Sequence, residues 1–162
     1  MKYVLMLAVC FLTHSSFAEE KIHGFVNEVV DGNTILIRTT DREEYKVLLH
    51  GIDSPDSGQH YAEQSKKMLQ RLLLNKWVTI VFHGKDRTGN RLGEIQIDGA
   101  PDPRHELLKA GLTWTSEKVL IPELEEIKDE ARQKNLGLWQ EANPTPPWMY
   151  RRQQTMTEAK SS

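Results

Sequence analysis

The sequence predicts an α+β domain, a five-stranded OB-type β-barrel with about three helices added. Three observations carry that expectation. Short β-branched or alternating runs, each closed by turn residues, come three in succession near the start. A helical segment separates them from two more such runs, and further helical segments close the chain. Three strands, a helix, two strands and then helices is the element order of such a barrel.

Each element follows from its residues. "IHGFVNEVV" (22–30) stops at "DGN", "TILIRT" (34–39) at "TDREE", and "YKVLLHGI" (45–52) at "DSPDSG", which reads as an antiparallel meander. In "QHYAEQSKKMLQRLLLN" (59–75), Tyr61, Met68, Leu69, Leu72 and Leu73 recur near helical spacing, with Lys66, Lys67 and Arg71 on a solvated face. "WVTIVF" (77–82) is a fourth strand, "HGKDRTGN" a loop and "RLGEIQI" (91–97) a fifth strand. "RHELLKAGLTW" (104–114) and "PELEEIKDEARQKNLG" (122–137) are helices, the second opening at Pro122 and closing at Gly137. The proline-rich "ANPTPPWMYRR" gains order by docking Trp148, and residues 153–162 are expected to be a disordered tail. Arg151 and Arg152 either pair with backbone or acidic groups at the chain's end or belong to that solvated tail. Trp114, Trp139 and Trp148 read as core or docking anchors.

Residues 1–18 read as a Sec-type signal peptide: Lys2, the short apolar run "YVLMLAVCFL", and small residues at Ser16 and Ala18. That run is too short to span a membrane. Cleavage after Ala18 would leave no transmembrane segment and a chain starting near Glu19, periplasmic or secreted. Cys10 is the single cysteine and leaves with the signal, so neither a disulfide nor a thiolate metal site is expected. Of 21 basic and 23 acidic residues only Lys2 is lost, and the remaining formal charge of −3 excludes a protein that coats nucleic acid non-specifically. The five histidines after residue 18 (His23, His50, His60, His83 and His105) lack zinc-ligand spacing. The chain is long enough to bury its own core, and a monomer is expected.

Chemistry is first suggested by "YKVLLHGIDSPDSGQ" (45–59), where an apolar strand runs into a turn with carboxylates at Asp53 and Asp56. Beyond that turn, "VVDGNTILI", "VLLHGIDSPD", "KDRTGNRLGEIQIDG", "LLKAGLTW", "ARQKNLGLWQ" and "PPWMYRR" occur in order. Together these motifs resemble the staphylococcal (thermo)nuclease family in its bacterial exported branch, over residues 22–152. The resemblance implies a barrel in which carboxylates on two loops hold calcium, a glutamate acts through water as general base, and two arginines grip the phosphate. A hard cation wants oxygen ligands, and charge building on phosphate oxygens wants fixed bidentate donors.

Carried over by position, the family's "DGDT" loop is "DGNT" here, so one calcium carboxylate has become Asn33. The aspartate of "GID-x-P-E" is retained as Asp53, and the general-base glutamate is the shorter Asp56. The two arginine positions hold Leu48 and Asn90. His50, on the strand face of Leu48, and Arg91, on the opposite face from Asn90, are candidate replacements, and a histidine packed at the barrel edge is the competing reading for His50. Losing one preorganised donor typically slows the chemistry by about 10²–10³-fold. With these departures the resemblance implies an exported nuclease-fold protein that has lost calcium-dependent phosphodiesterase chemistry. Calcium would be weak or absent at Asp53 and Asn33. The barrel cleft would bind single-stranded nucleic acid, a nucleotide or another ligand. The alternative is an active calcium-dependent endonuclease that hydrolyses DNA or RNA phosphodiester bonds through a rearranged site.

Overall fold

The first three strands are β1 (Lys21–Val29), β2 (Thr34–Arg38) and β3 (Glu44–Leu49), and they pair as the expected antiparallel meander. This computed structural model describes residues 20–161, so the signal peptide expected over 1–18 lies outside the described residues. After a two-residue strand β4 (Ile52–Asp53) and helix α1 (Ala62–Leu73) come β5 (Trp77–Lys85) and β6 (Arg91–Gln96). The sheet closes as β1-β2-β3-β6-β5, with β5 back on β1 and β3 beside β6 in parallel. The predicted five-stranded OB-type barrel is therefore the fold.

Alternation explains the core. Ile35 and Ile37 on β2, Val47 and Leu49 on β3, and Val78 and Ile80 on β5 are all buried, each two residues apart on one strand face. Helix α1 turns Ser65, Leu69 and Leu73 inward at four-residue spacing, while Lys67 and Arg71 are exposed and Lys66 is half-buried. Leu107 and Leu108 of α2 (Pro103–Lys109) and Leu124 of α3 (Pro122–Gln133) join the same core.

The helices end earlier than their sequence pattern suggests. Helix α2 stops at Lys109, and Trp114–Thr115 is instead strand β7, paired with β4. Helix α3 begins at Pro122 as expected but ends at Gln133, because Asn135 takes a positive φ and the Leu136 amide donates back to the Ala131 carbonyl. The tail differs most. A fourth helix, α4 (Pro147–Ser161), runs through residues 153–161, where disorder was expected. Pro147 fits a first helical turn, and the residues after it contain neither Gly nor Pro, so the helix nucleated there propagates. Its side chains from Gln153 to Lys160 are exposed.

Candidate functional site

The chain leaves the barrel at the end of β3 and places Asp53 on the β4–β7 ribbon opposite Trp114. Three buried hydroxyls fix the next residue: Ser65 Oγ donates to Ser54 Oγ (3.2 Å), and Ser54 Oγ donates to Thr113 Oγ1 (3.0 Å). The loop between β1 and β2 lies directly on this trio. A Cβ at Gly32 would sit 2.1 Å from Ser65 Oγ and 2.7 Å from Ser54 Cβ, so only glycine allows the approach. Asn33 follows, its amide donating to Asp31 Oδ1 (2.9 Å) and its carbonyl accepting from the Leu49 amide (2.8 Å). The packing thus brings Asn33 and Asp53 to one cleft of about 830 Å³.

The cation at this site comes from the far end of the chain. Arg151 Nη2 donates to Asp53 Oδ2 at 2.6 Å, and its Nη1 lies 3.3 Å from Asp53 Oδ1 and 2.8 Å from Asp56 Oδ2. Burial raises the pKa of Asp53, and the opposing pull of Arg151 does not cancel it. Asp56 is raised for the same reason. Burial works against the Arg151 charge too, yet its bonds to Asp53 and Asp56 outweigh that and raise its pKa. Next to it, Arg152 Nη2 donates to both oxygens of Glu117 (2.8 and 3.0 Å).

Neither position at which the resemblance implied an arginine sends a cation into the cleft. Leu48 lines it as a half-buried apolar side chain between Thr34 and Leu92. Asn90 is tied into its own turn, its Nδ2 donating to Asp86 Oδ2 (2.9 Å) and Thr88 Oγ1 (2.7 Å). Arg91 does not line the cleft: it stacks over Tyr45 and Phe82 and donates to Glu20 (2.9 Å). His50 does line the cleft, with its ring stacked on His83 at 4.3 Å. Burial, then His83 and Arg104, lower its pKa, so the imidazole is neutral at about pH 7. Lys46, also on that strand, is exposed and is not part of the cleft lining.

The donor set decides how a calcium ion would fare. Asp53, Asp56 and the Asn33 amide offer oxygens of the right hardness. Both carboxylates, however, already hold a guanidinium. Among the described residues no three His, Cys, Asp or Glu side chains gather into a group able to hold an ion. With Arg151 in place, a calcium ion would have to displace the guanidinium to reach either carboxylate.

Two residues important to this geometry were not assigned to it from the sequence. From the sequence Arg151 pairs at the chain's end or belongs to a solvated tail, whereas its acids lie 98 and 95 residues away. Arg104 is buried behind the site, where it donates to the His50 carbonyl (3.1 Å) and pairs with Asp102 (2.5 Å) and Glu94 (3.0 Å). The pattern "PDPRH" does signal its helix start: Asp102 caps the Arg104 amide (2.8 Å) and Pro103 opens the first turn. Nothing local indicates that this arginine turns inward. The tryptophans dock as expected, Trp148 against Trp114 (5.8 Å) and Trp114 against Trp139 (4.6 Å), both edge-on.

Comparison with known proteins adds the following. The family described as "Staphylococcal nuclease homologue" matches residues 46–141. An "Uncharacterized endonuclease" of Escherichia coli is 35% identical over 131 residues, 80% of this chain and 85% of that protein. A protein of the same description from Haemophilus influenzae is 30% identical over 154 residues, covering 94% and 86%. The "Staphylococcal-like nuclease CAN1" of Arabidopsis thaliana is 33% identical over 113 residues, 68% of this chain and 34% of that protein. Among the described residues no helix is long and apolar enough to cross a membrane.

Proposed function

Since the chain belongs to the staphylococcal nuclease homologue family, we propose that it is an exported, monomeric member that binds single-stranded nucleic acid or a nucleotide in its cleft without calcium-dependent hydrolysis. One observation carries this reading: at the two positions where the resemblance implied phosphate-gripping arginines, Leu48 is a wall of the cleft and Asn90 is bound into its own turn. The charge that builds on a phosphate in the transition state then meets no fixed donor from either place. Binding needs less. Lys85, Arg87 and Lys118 line the cleft and suit phosphates, while Leu48, Leu92 and Trp148 offer an apolar wall to a base.

A second reading, hydrolysis through a rearranged site, has one observation in its favour: Arg151 brings a guanidinium to 2.8 Å from Asp56. One experiment separates the two. The chain from Glu19 is mixed with labelled oligo-dT and oligo-rU, and fluorescence anisotropy and strand integrity are followed in chelator and in calcium. The expected result is binding in chelator and uncut strands in calcium. Binding should weaken with salt at a log–log slope of about −0.7 per phosphate contact. Cutting that Asp53→Ala abolishes would establish the second reading, and no binding under any condition would overturn the first.

A further inference from the structure

We propose that the Arg151 guanidinium is the resident cation of the Asp53–Asp56 pair, so that the C-terminal helix supplies from within the chain the charge that, by the resemblance, the family takes from a metal ion. This stands whether or not the cleft binds nucleic acid.

Three features of the structure converge on it. The guanidinium touches both carboxylates at once, with two contacts to Asp53 and one to Asp56, so it bridges them as a bound ion would. Its placement is held from behind. Pro147 is buried, Trp148 packs edge-on against Trp114, Trp114 against Trp139, and Arg152 grips Glu117 one residue further along. Finally, the acids need a cation: Asp53 and Asp56 lie close enough to repel each other, Asp31 adds to the repulsion on both, and each is partly buried. A divalent ion entering here must first break the three contacts of Arg151. Arginine suits this place because it is always charged and its planar fork matches carboxylates.

The test reads thermal melting of the chain from Glu19 in chelator, in millimolar calcium and in sodium chloride of matched ionic strength. Wild type should melt at one temperature in all three. Arg151→Gln should melt lower in chelator and recover most of the loss in calcium but not in sodium chloride, since a divalent ion then does what the arginine did. Arg151→Lys, which keeps a charge but loses the fork, should melt between Arg151→Gln and wild type and gain less from calcium than Arg151→Gln does. Arg152→Gln, which breaks the pair with Glu117 instead, should ignore calcium. The triple variant Asp53→Asn, Asp56→Asn, Arg151→Gln removes the charges together and should fold without responding to calcium, even if Arg151→Gln alone fails to fold.

Several results would overturn the proposal. Calcium raising the wild-type melting temperature, with Asp53→Asn abolishing the rise, would mean the acids prefer the ion to the arginine. A folded Arg151→Gln indifferent to calcium would mean the arginine does not stand in for a cation. An unfolded triple variant would mean Arg151 acts by packing.

Discussion

Replacing Arg104 with methionine should cost about 3 kcal/mol of folding stability. The side chain is only 7% exposed, and its pKa is raised: burial opposes the charge, and Asp102 and Glu94 more than offset that. Removing one partner of a fully buried pair costs about 3–5 kcal/mol. Here the Asp102 and Glu94 side chains keep 18% and 30% of their surface in water, which moves the cost to the low end of that range. The loss of the Arg104 bond to the His50 carbonyl works the other way and keeps the cost from falling below that range. For a chain of this size the loss lowers the melting temperature by on the order of 10 °C. Urea denaturation at neutral pH measures it, and the triple variant Arg104→Met, Glu94→Gln, Asp102→Asn should recover about half, since asparagine still caps the helix. A loss under about 1 kcal/mol, the range of exposed pairs, would refute the reasoning.

Other perturbations have equally definite outcomes. Gly111→Ala should destabilise by at least about 3 kcal/mol in the same assay, because the glycine has φ +65° and an added Cβ would lie 2.2 Å from the Leu136 carbonyl oxygen. Ending the chain after Arg152 should leave the melting temperature within about 2 °C of wild type, whereas ending it before Pro147 should lower it well beyond that, since Trp148 and Arg151 are the anchors. His50 has a lowered pKa, so the unfolded chain takes up its proton first as pH falls. Stability should drop below about pH 6.5, and His50→Gln should flatten part of that drop in acid melts. Asp53 and Asp56 have raised pKa values, and any stability they contribute is present at low pH and lost as pH rises through those values. Removing Arg151 removes what pulls the values down, so the deficit of Arg151→Gln should be larger near about pH 7 than near about pH 4. Finally, restoring Asn33→Asp, Leu48→Arg, Asp56→Glu and Asn90→Arg should yield cutting of single-stranded DNA in calcium only when Arg151→Gln is added. Wild type should be at least about 10³-fold slower than that variant.

Much of this protein is written in short-range pattern. The alternation in "TILIR" and "YKVLL" specifies strands with one buried face, because side chains on a strand point to opposite sides in turn. Pro122 marks the start of α3, because a helix's first turn needs no amide from it. Both signals lie within a few residues of what they determine, and the order of such elements was enough to indicate the barrel. Even the absence of arginine at Leu48 and Asn90 is a fact of the sequence alone.

What the tertiary structure decided lies between residues far apart along the chain. The sequence places Asn33 and Asp53 on different loops, and the contact of Gly32 with Ser65 and Ser54, together with the Leu49 amide on the Asn33 carbonyl, brings those loops together. Arg104 looks like any polar residue in a first helical turn until α2 packs it behind His50. Arg151 reads from the sequence either as pairing at the chain's end or as part of a solvated tail, because no pattern near it points to Asp53 or Asp56. Its acids become neighbours only once Trp148 docks on Trp114 and directs the helix across the cleft. Periodicity records which face of an element is apolar, but an ion pair spanning 98 residues depends on where two finished elements come to rest.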